Sequence, residues 1–214
     1  HQVQALLMGG QACVFYGAAQ FSKDVDLALL AEEENFTRLR AALEELQAAR
    51  IAVPRFDHVL LARGHAVHFR CQHPGAAGLR VDVMTRLRGL PEFPLLWTRR
   101  TTIAEEHGEI FELLAVEDLV RAKKTQRSKD WPIIEALVEG HYHVNGTEPT
   151  SERVRFWLIE ARGPERLVEL ARRFPAEARA LIGERSLLDH ALAGDLAALR
   201  PALDAEVRAE QDKD

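Results

Sequence analysis

The first part of the chain alternates short apolar runs with turn residues, and helical spacing takes over toward the C-terminus. Residues 3–14 are apolar and are interrupted by Gly9-Gly10, which predicts a strand or helix end turning tightly into the next element. Tyr16 to Lys23 reads as a loop, and Val25 to Leu30 as a buried strand. Glu32 to Arg50 is the clearest helix: Phe36, Leu39, Leu43 and Leu46 recur at helical spacing behind an acidic first turn. Pro54 breaks that pattern. Val59-Leu60-Leu61, Val67-His68-Phe69 and Leu79 to Val83 then read as short strands, and Thr101 to Leu114 as a hairpin turning at Glu106-His107-Gly108-Glu109. Glu117 to Lys124 and Trp131 to Glu139 read as helices. Composition shifts near Gly146-Thr147-Glu148-Pro149, and from Ser151, a plausible cap, helices are punctuated by Gly163-Pro164, Pro175, Gly183 and Gly194. The expectation is an α/β or α+β unit over residues 1–145 and a helical region over 146–214, with a frayed polar end from Glu206.

Composition narrows this little. At 214 residues and 47% hydrophobic content, the chain can bury one sizeable core with a smaller second unit. No segment reaches the roughly 18 continuous apolar residues of a membrane helix, so no membrane is expected. No signal peptide pattern is visible, and the start at His1 in place of Met fits a trimmed chain. Cys13 and Cys71 have no metal-ligand spacing and predict free thiols in a reducing cytoplasm. A net charge of −5 argues against a globally basic nucleic-acid binder.

Charge placement changes the picture more. Asp24 and Asp26 stand two apart within an otherwise apolar strand, so both carboxylates face one side. Two half-buried like charges cost several kcal/mol unless a cation neutralises them. The pair therefore predicts a divalent metal site.

Gly9-Gly10, thirteen intervening residues, then Asp24-Val25-Asp26-Leu27 resembles the signature of the nucleotidyltransferase (polymerase β-like) superfamily. The likeness spans roughly residues 5 to 135 and is strongest to bacterial minimal nucleotidyltransferases, including those related to abortive-infection toxins. In that group a third carboxylate on a later strand completes the site, and Asp82 in Arg80-Val81-Asp82-Val83-Met84 is placed for it. Downstream, Asp118-Leu119 with Lys123, and Lys129-Asp130, match a further helix and Lys-Asp pair.

The resemblance implies a small mixed β-sheet flanked by helices, with a helical C-terminal region. It also implies transfer of an NMP group from an NTP to an acceptor hydroxyl on a tRNA, a protein or a small molecule. Asp24, Asp26 and Asp82 would hold Mg²⁺ or Mn²⁺ and carry catalysis, in keeping with two hard cations roughly 4 Å apart stabilising attacking and leaving oxygens. Gly9, Gly10, Ser22, Lys23 and Lys123 would bind the nucleotide, ATP among the candidates. A toxin–antitoxin setting would add an antitoxin-type protein partner. The chain departs from the pattern at Gln20, where relatives often carry Arg, which weakens the phosphate-binding half.

Each of these residues has a plainer reading beside it. Ser22 is also a common turn residue, Asp130 a helix cap before Trp131-Pro132, and Lys123, Lys124, Arg127 and Lys129 a solvated helix face. Residues 121–130 carry five basic side chains against Asp130, a local charge of +4 that would guide RNA or a triphosphate. Phe15, Tyr16 and Phe21 are candidates for stacking on a base or for the core. His65, His68 and His73 lack zinc-ligand spacing and read as structural or surface residues. The alternative to an enzyme is a catalytically inactive member of the same fold acting as a binding module.

Overall fold

A computed structural model describes all residues but 53, 54, 107 and 214. The chain divides into two compact units, His1–Ala122 and Lys123–Asp214. The division falls earlier than the composition shift near residue 146, because the helix that begins at Trp131 packs with the helices that follow it.

Unit 1 contains, in chain order, β1 (Ala5–Met8), α1 (Gly9–Phe15), β2 (Asp24–Leu29), α2 (Glu33–Glu45), β3 (Ala49–Arg50), α3 (His58–Ala62), β4 (Val67–Arg70), β5 (Arg80–Met84), α4 (Phe93–Thr98), β6 (Thr101–Ala104) and β7 (Ile110–Leu113). A further helix, α5 (Val116–Lys123), runs up to the boundary between the units. The strands form one mixed sheet in the order β3-β4-β5-β2-β1-β7-β6, the mixed sheet with helices that was expected. β2 is antiparallel to β1 and parallel to β5. β4 is antiparallel to β5.

Alternation sorts the strands into two faces. Val81 and Val83 of β5, Val67 and Phe69 of β4 and Leu29 of β2 bury in one cluster with Phe36, Leu39 and Leu43 of α2 and Leu61 of α3. The alternate residues Asp24, Asp26, His68 and Asp82 therefore fall on the opposite face.

Two local expectations in unit 1 are corrected, and one helix is new. The helix predicted to Arg50 stops at Glu45. Gln47 turns left-handed at φ 48°, its N–H reaches Glu44 O, and Ala48 N–H reaches Leu43 O. This closes the helix by the hydrogen-bond pattern usually built on glycine, and frees Ala49–Arg50 to pair with Phe69 and Arg70 of β4. Val59-Leu60-Leu61, expected as a strand, lies in α3. The Asp57 carboxylate caps that helix, accepting from Val59 N at 2.8 Å. The short helix α4, with Phe93 and Leu96 buried, had no predicted counterpart. The hairpin β6–β7 stands as expected, with Ala104 opposite Ile110. Pro54 and His107 lie outside the described residues.

Unit 2 is helical: α6 (Trp131–Asn145), α7 (Ser151–Glu160), α8 (Pro164–Arg173), α9 (Pro175–Ala180), α10 (Leu188–Ala193) and α11 (Leu196–Gln211). α6 runs six residues beyond its predicted end at Glu139 because Tyr142 is buried, its ring 5.0 Å from that of Trp157. Thr150, rather than Ser151, caps α7. A buried ionic network joins the elements. Arg185, 4% exposed, donates to Leu158 O, Ala161 O and Glu206, while Arg162 meets Glu160, Glu206 and Glu210. Among the described residues no helix is long and apolar enough to cross a membrane.

Candidate functional site

Strand register puts the three aspartates on one face of the sheet. Asp26 of β2 is the direct cross-strand partner of Asp82 of β5, and Asp24 is partnered by Arg80. On the far side of β5, His68 stands opposite Asp82. On the far side of β2, Met8, the last residue of β1, stands opposite Asp26. One row across the sheet therefore reads His68, Asp82, Asp26, Met8, and the next reads Arg70, Arg80, Asp24. Directly opposed residues share a face, so the carboxylates and Arg80 occupy one patch.

Gly9 follows Met8 at φ +64°, the left-handed region. A Cβ on Gly9 would lie 1.9 Å from Asp26 Oδ2, and one on Gly10 would lie 2.5 Å from Ser22 Oγ. The Gly9-Gly10 turn is thus pressed onto the acidic strand and the loop leading into it. Gly9 leaves no room for a larger residue, its Cβ position lying 2.8 Å from Asp26 Cβ as well, whereas at Gly10 the Ser22 hydroxyl would have to turn aside.

Asp82 is already engaged. Arg80 donates Nε to Asp82 Oδ1 at 2.8 Å and Nη2 to Oδ2 at 2.9 Å, the forked pairing a guanidinium makes with a carboxylate. His68 Nδ1 is 2.8 Å from Asp82 Oδ1 and 3.1 Å from Arg80 Nη2. A single nitrogen serves one of these partners at a time: protonated it donates to Asp82, unprotonated it accepts from Arg80. The Arg80 guanidinium is pushed above its ordinary pKa, first by the hydrogen bonds to Asp82 and then, against the opposing effect of burial, by the charges of Asp82, Asp24 and Asp26. Arg80 therefore senses all three aspartates.

The donor set is chemically suited to Mg²⁺ or Mn²⁺, since carboxylate oxygens are the ligands hard cations take. Among the described residues, no group of three or more His, Cys, Asp and Glu converges closely enough to hold a metal ion. Asp82 would have to turn from Arg80 to join the other two.

The remaining candidates separate. Ser22 donates its hydroxyl to Asp24 O at 3.0 Å, a turn contact that braces the start of β2. Lys23 is exposed beside it. The Phe15 ring lies tilted against that of Phe111, centroids 4.8 Å apart. Tyr16 donates to Leu114 O at 2.9 Å, and its hydroxyl pKa is pushed up to about 12, chiefly by burial. Both are partly buried in unit 1, whereas Phe21 is 71% exposed next to Ser22.

Lys123 is buried, with Nζ 3.4 Å from Asp130 Oδ1. Asp130 also accepts from Thr125 Oγ1 and pairs with Arg127, both at 2.8 Å, so its carboxylate caps no helix. Lys124 pairs with Glu160 and Glu210. Three of the five cations in the basic stretch are thus neutralised within unit 2, and the stretch is not the solvated face that its sequence suggests.

The sequence reading passed over His68 and Arg80 as site residues. The available signal was strand period: Arg80 sits two before Asp82 on the same face, and His68 alternates with the buried Val67 and Phe69. Compared with models of known protein families and with curated proteins, the chain matches none.

Proposed function

We propose that unit 1 is the catalytic domain of a metal-dependent nucleotidyltransferase that moves an NMP group from an NTP to an acceptor hydroxyl. The observation that carries this reading is the register of Asp26 against Asp82, with Asp24 on the same face and Gly9 closed over Asp26. A divalent cation held by these carboxylates would neutralise charge on the attacking and leaving oxygens. The acceptor's hydroxyl oxygen forms its bond to the α-phosphorus as the bond to the bridging oxygen breaks, and pyrophosphate leaves. Asp82 would take the hydroxyl proton after turning from the Arg80 fork that now occupies both of its oxygens. Lys23, exposed beside Asp24, supplies a cation for the phosphates, and the exposed Phe21 ring a stacking face for the base. Two free cysteines, both buried, suit a protein kept in the reducing cytoplasm.

The bidentate hold of Arg80 on Asp82 favours a second reading, a nucleotide-binding module that does no transfer. Calorimetry with Mg²⁺ and each NTP, followed by incubation with labelled NTP and total tRNA, the protein itself or aminoglycosides, separates the two. The enzyme reading expects nucleotide binding that is lost in the Asp24→Ala, Asp26→Ala double variant, and label on one acceptor. Binding without label selects the module. Failure of every NTP to bind removes both.

A further inference from the structure

The carboxylate row holds a cation of its own, and Asp82 is the member it occupies. Arg80 takes both Asp82 oxygens in its fork, at 2.8 and 2.9 Å, and His68 Nδ1 lies 2.8 Å from Oδ1. The Asp82 side chain is only 10% exposed, so a cation reaches that carboxylate by moving the guanidinium aside. Arg80 has the room to move, its own side chain being 36% exposed. Among the described residues the acids do not converge on a metal position, although Asp26 is the direct cross-strand partner of Asp82. The fork supplies the reason, since it ties Asp82 to a neighbour on its own strand.

A guanidinium keeps its charge at any working pH, so an Arg80 that leaves Asp82 must meet another anion. Its planar fork fits carboxylate and phosphate alike. Two observations favour phosphate. Arg70 stands directly opposite Arg80 on the same face, its Nη1 donating to Gly78 O at 3.3 Å. Like charges so placed repel, and a polyphosphate satisfies both. The expected phosphate cations are also depleted: position 20 is Gln, and Lys123 is buried in unit 2 against Asp130. Within the nucleotidyltransferase reading, on which this rests, we propose that Arg80 is an exchangeable counter-ion. It holds Asp82 until a divalent cation takes that carboxylate, and then holds a phosphate of the nucleotide.

Two titrations of the full chain, at one fixed pH, test the exchange. In the first, calorimetry measures Mn²⁺ binding without nucleotide. Arg80→Gln frees Asp82 and should bind Mn²⁺ at least about tenfold more tightly than wild type. Arg80→Lys keeps the charge without the fork and should fall between; it also serves if the Gln variant does not fold. An arginine with a merely structural role would give the opposite sign. Equal or weaker Mn²⁺ binding by these variants overturns the exchange and leaves the metal site standing, whereas no Mn²⁺ binding by any of the three proteins removes the nucleotidyltransferase reading and the exchange with it. In the second, calorimetry in EDTA follows inorganic tripolyphosphate. Asp82→Asn takes the anion from the fork and should bind this probe about fivefold or more tighter than Asp24→Asn, which removes the same charge from the same face. Adding Arg80→Gln to Asp82→Asn should abolish that difference. Equal binding by Asp82→Asn and Asp24→Asn overturns the assignment of phosphate as the second partner of Arg80.

Discussion

Replacing Gly9 by Ala tests how tightly the turn and the acidic strand are built together. Two effects act at this position. The left-handed backbone, φ +64°, costs a residue with a Cβ about 1–2 kcal/mol. The new methyl would also lie 1.9 Å from Asp26 Oδ2, 2.5 Å from its Cγ and 2.8 Å from its Cβ. The last contact is close to the backbone, so rotating the carboxylate away does not relieve it, and β1 or β2 must shift. Overpacking of that kind typically costs 1–3 kcal/mol, giving about 2–5 kcal/mol in all.

Gly17 is the internal control, with φ +72° and nothing within 4 Å of a Cβ, so Gly17→Ala should show the backbone cost alone. Hydrogen exchange of β1 and β2 peptides across a urea series reports unit 1 by itself, and Mn²⁺ titration reports the carboxylates. Gly9→Ala should lose at least about 1 kcal/mol more than Gly17→Ala and weaken Mn²⁺ binding. Equal losses in the two variants, with Mn²⁺ affinity unchanged, would refute the close packing of Gly9 on Asp26.

Other outcomes follow from the same geometry. Phe21→Ala should weaken ATP binding by roughly tenfold, from a stacking contribution of about 1–3 kcal/mol, and leave inorganic tripolyphosphate binding unchanged; parallel calorimetry compares them, and an equal effect on both ligands rules out stacking. Arg185→Met removes one of the two arginines that hold Glu206 and the donor to Leu158 O and Ala161 O, and should destabilise unit 2 by about 1–3 kcal/mol from the buried acceptors left unsatisfied. Thermal melts followed by the fluorescence of the buried Trp157 measure it, and a loss under about 1 kcal/mol would contradict the network's role. Burial raises the Glu206 carboxyl, but the Arg185 hydrogen bond and the charges of Arg185, Arg162 and Lys124 outweigh it and hold the group below its usual range. Its contribution is therefore present above the unfolded glutamate value of roughly 4.3 and is lost as pH falls through the lower folded value. Glu206→Gln should flatten the acid limb of the stability curve, and an unchanged limb would show that Glu206 does not set it.

Legibility in the sequence followed how local each signal was. β2, β4 and β5 were readable because alternation and apolar runs are properties of neighbouring residues. The Gly9-Gly10 turn was readable because glycine marks a backbone no other residue adopts easily. The end of α2 was missed because Gln47 makes the left-handed turn where glycine is the expected sign. α3 was missed because Val59-Leu60-Leu61 is short and apolar, which suits strand and helix alike, so that only the cap at Asp57 decides. Lys124 reads as a solvated cation because its partners Glu160 and Glu210 lie 36 and 86 residues away. Charge patterning gives the sign of a side chain and says nothing of distant partners. The same limit hid the contact of His68, since which strand neighbours β5 is set by topology. Arg80, by contrast, lies two before Asp82 on one strand, and its contact was open to a reading of strand period.

The row His68, Asp82, Asp26, Met8 also acts as a check on folding. If β5 slipped by one residue against β2, Val81 or Val83 would replace Asp82 beside Asp26, and Asp82 would enter the cluster around Phe36 and Leu61. An unpaired carboxylate there costs several kcal/mol, a sizeable share of the 5–15 kcal/mol that holds a domain together. Misregistered chains are thereby disfavoured as folds before they can exist as defective sites. The carboxylates thus help to select the sheet alignment that brings them together.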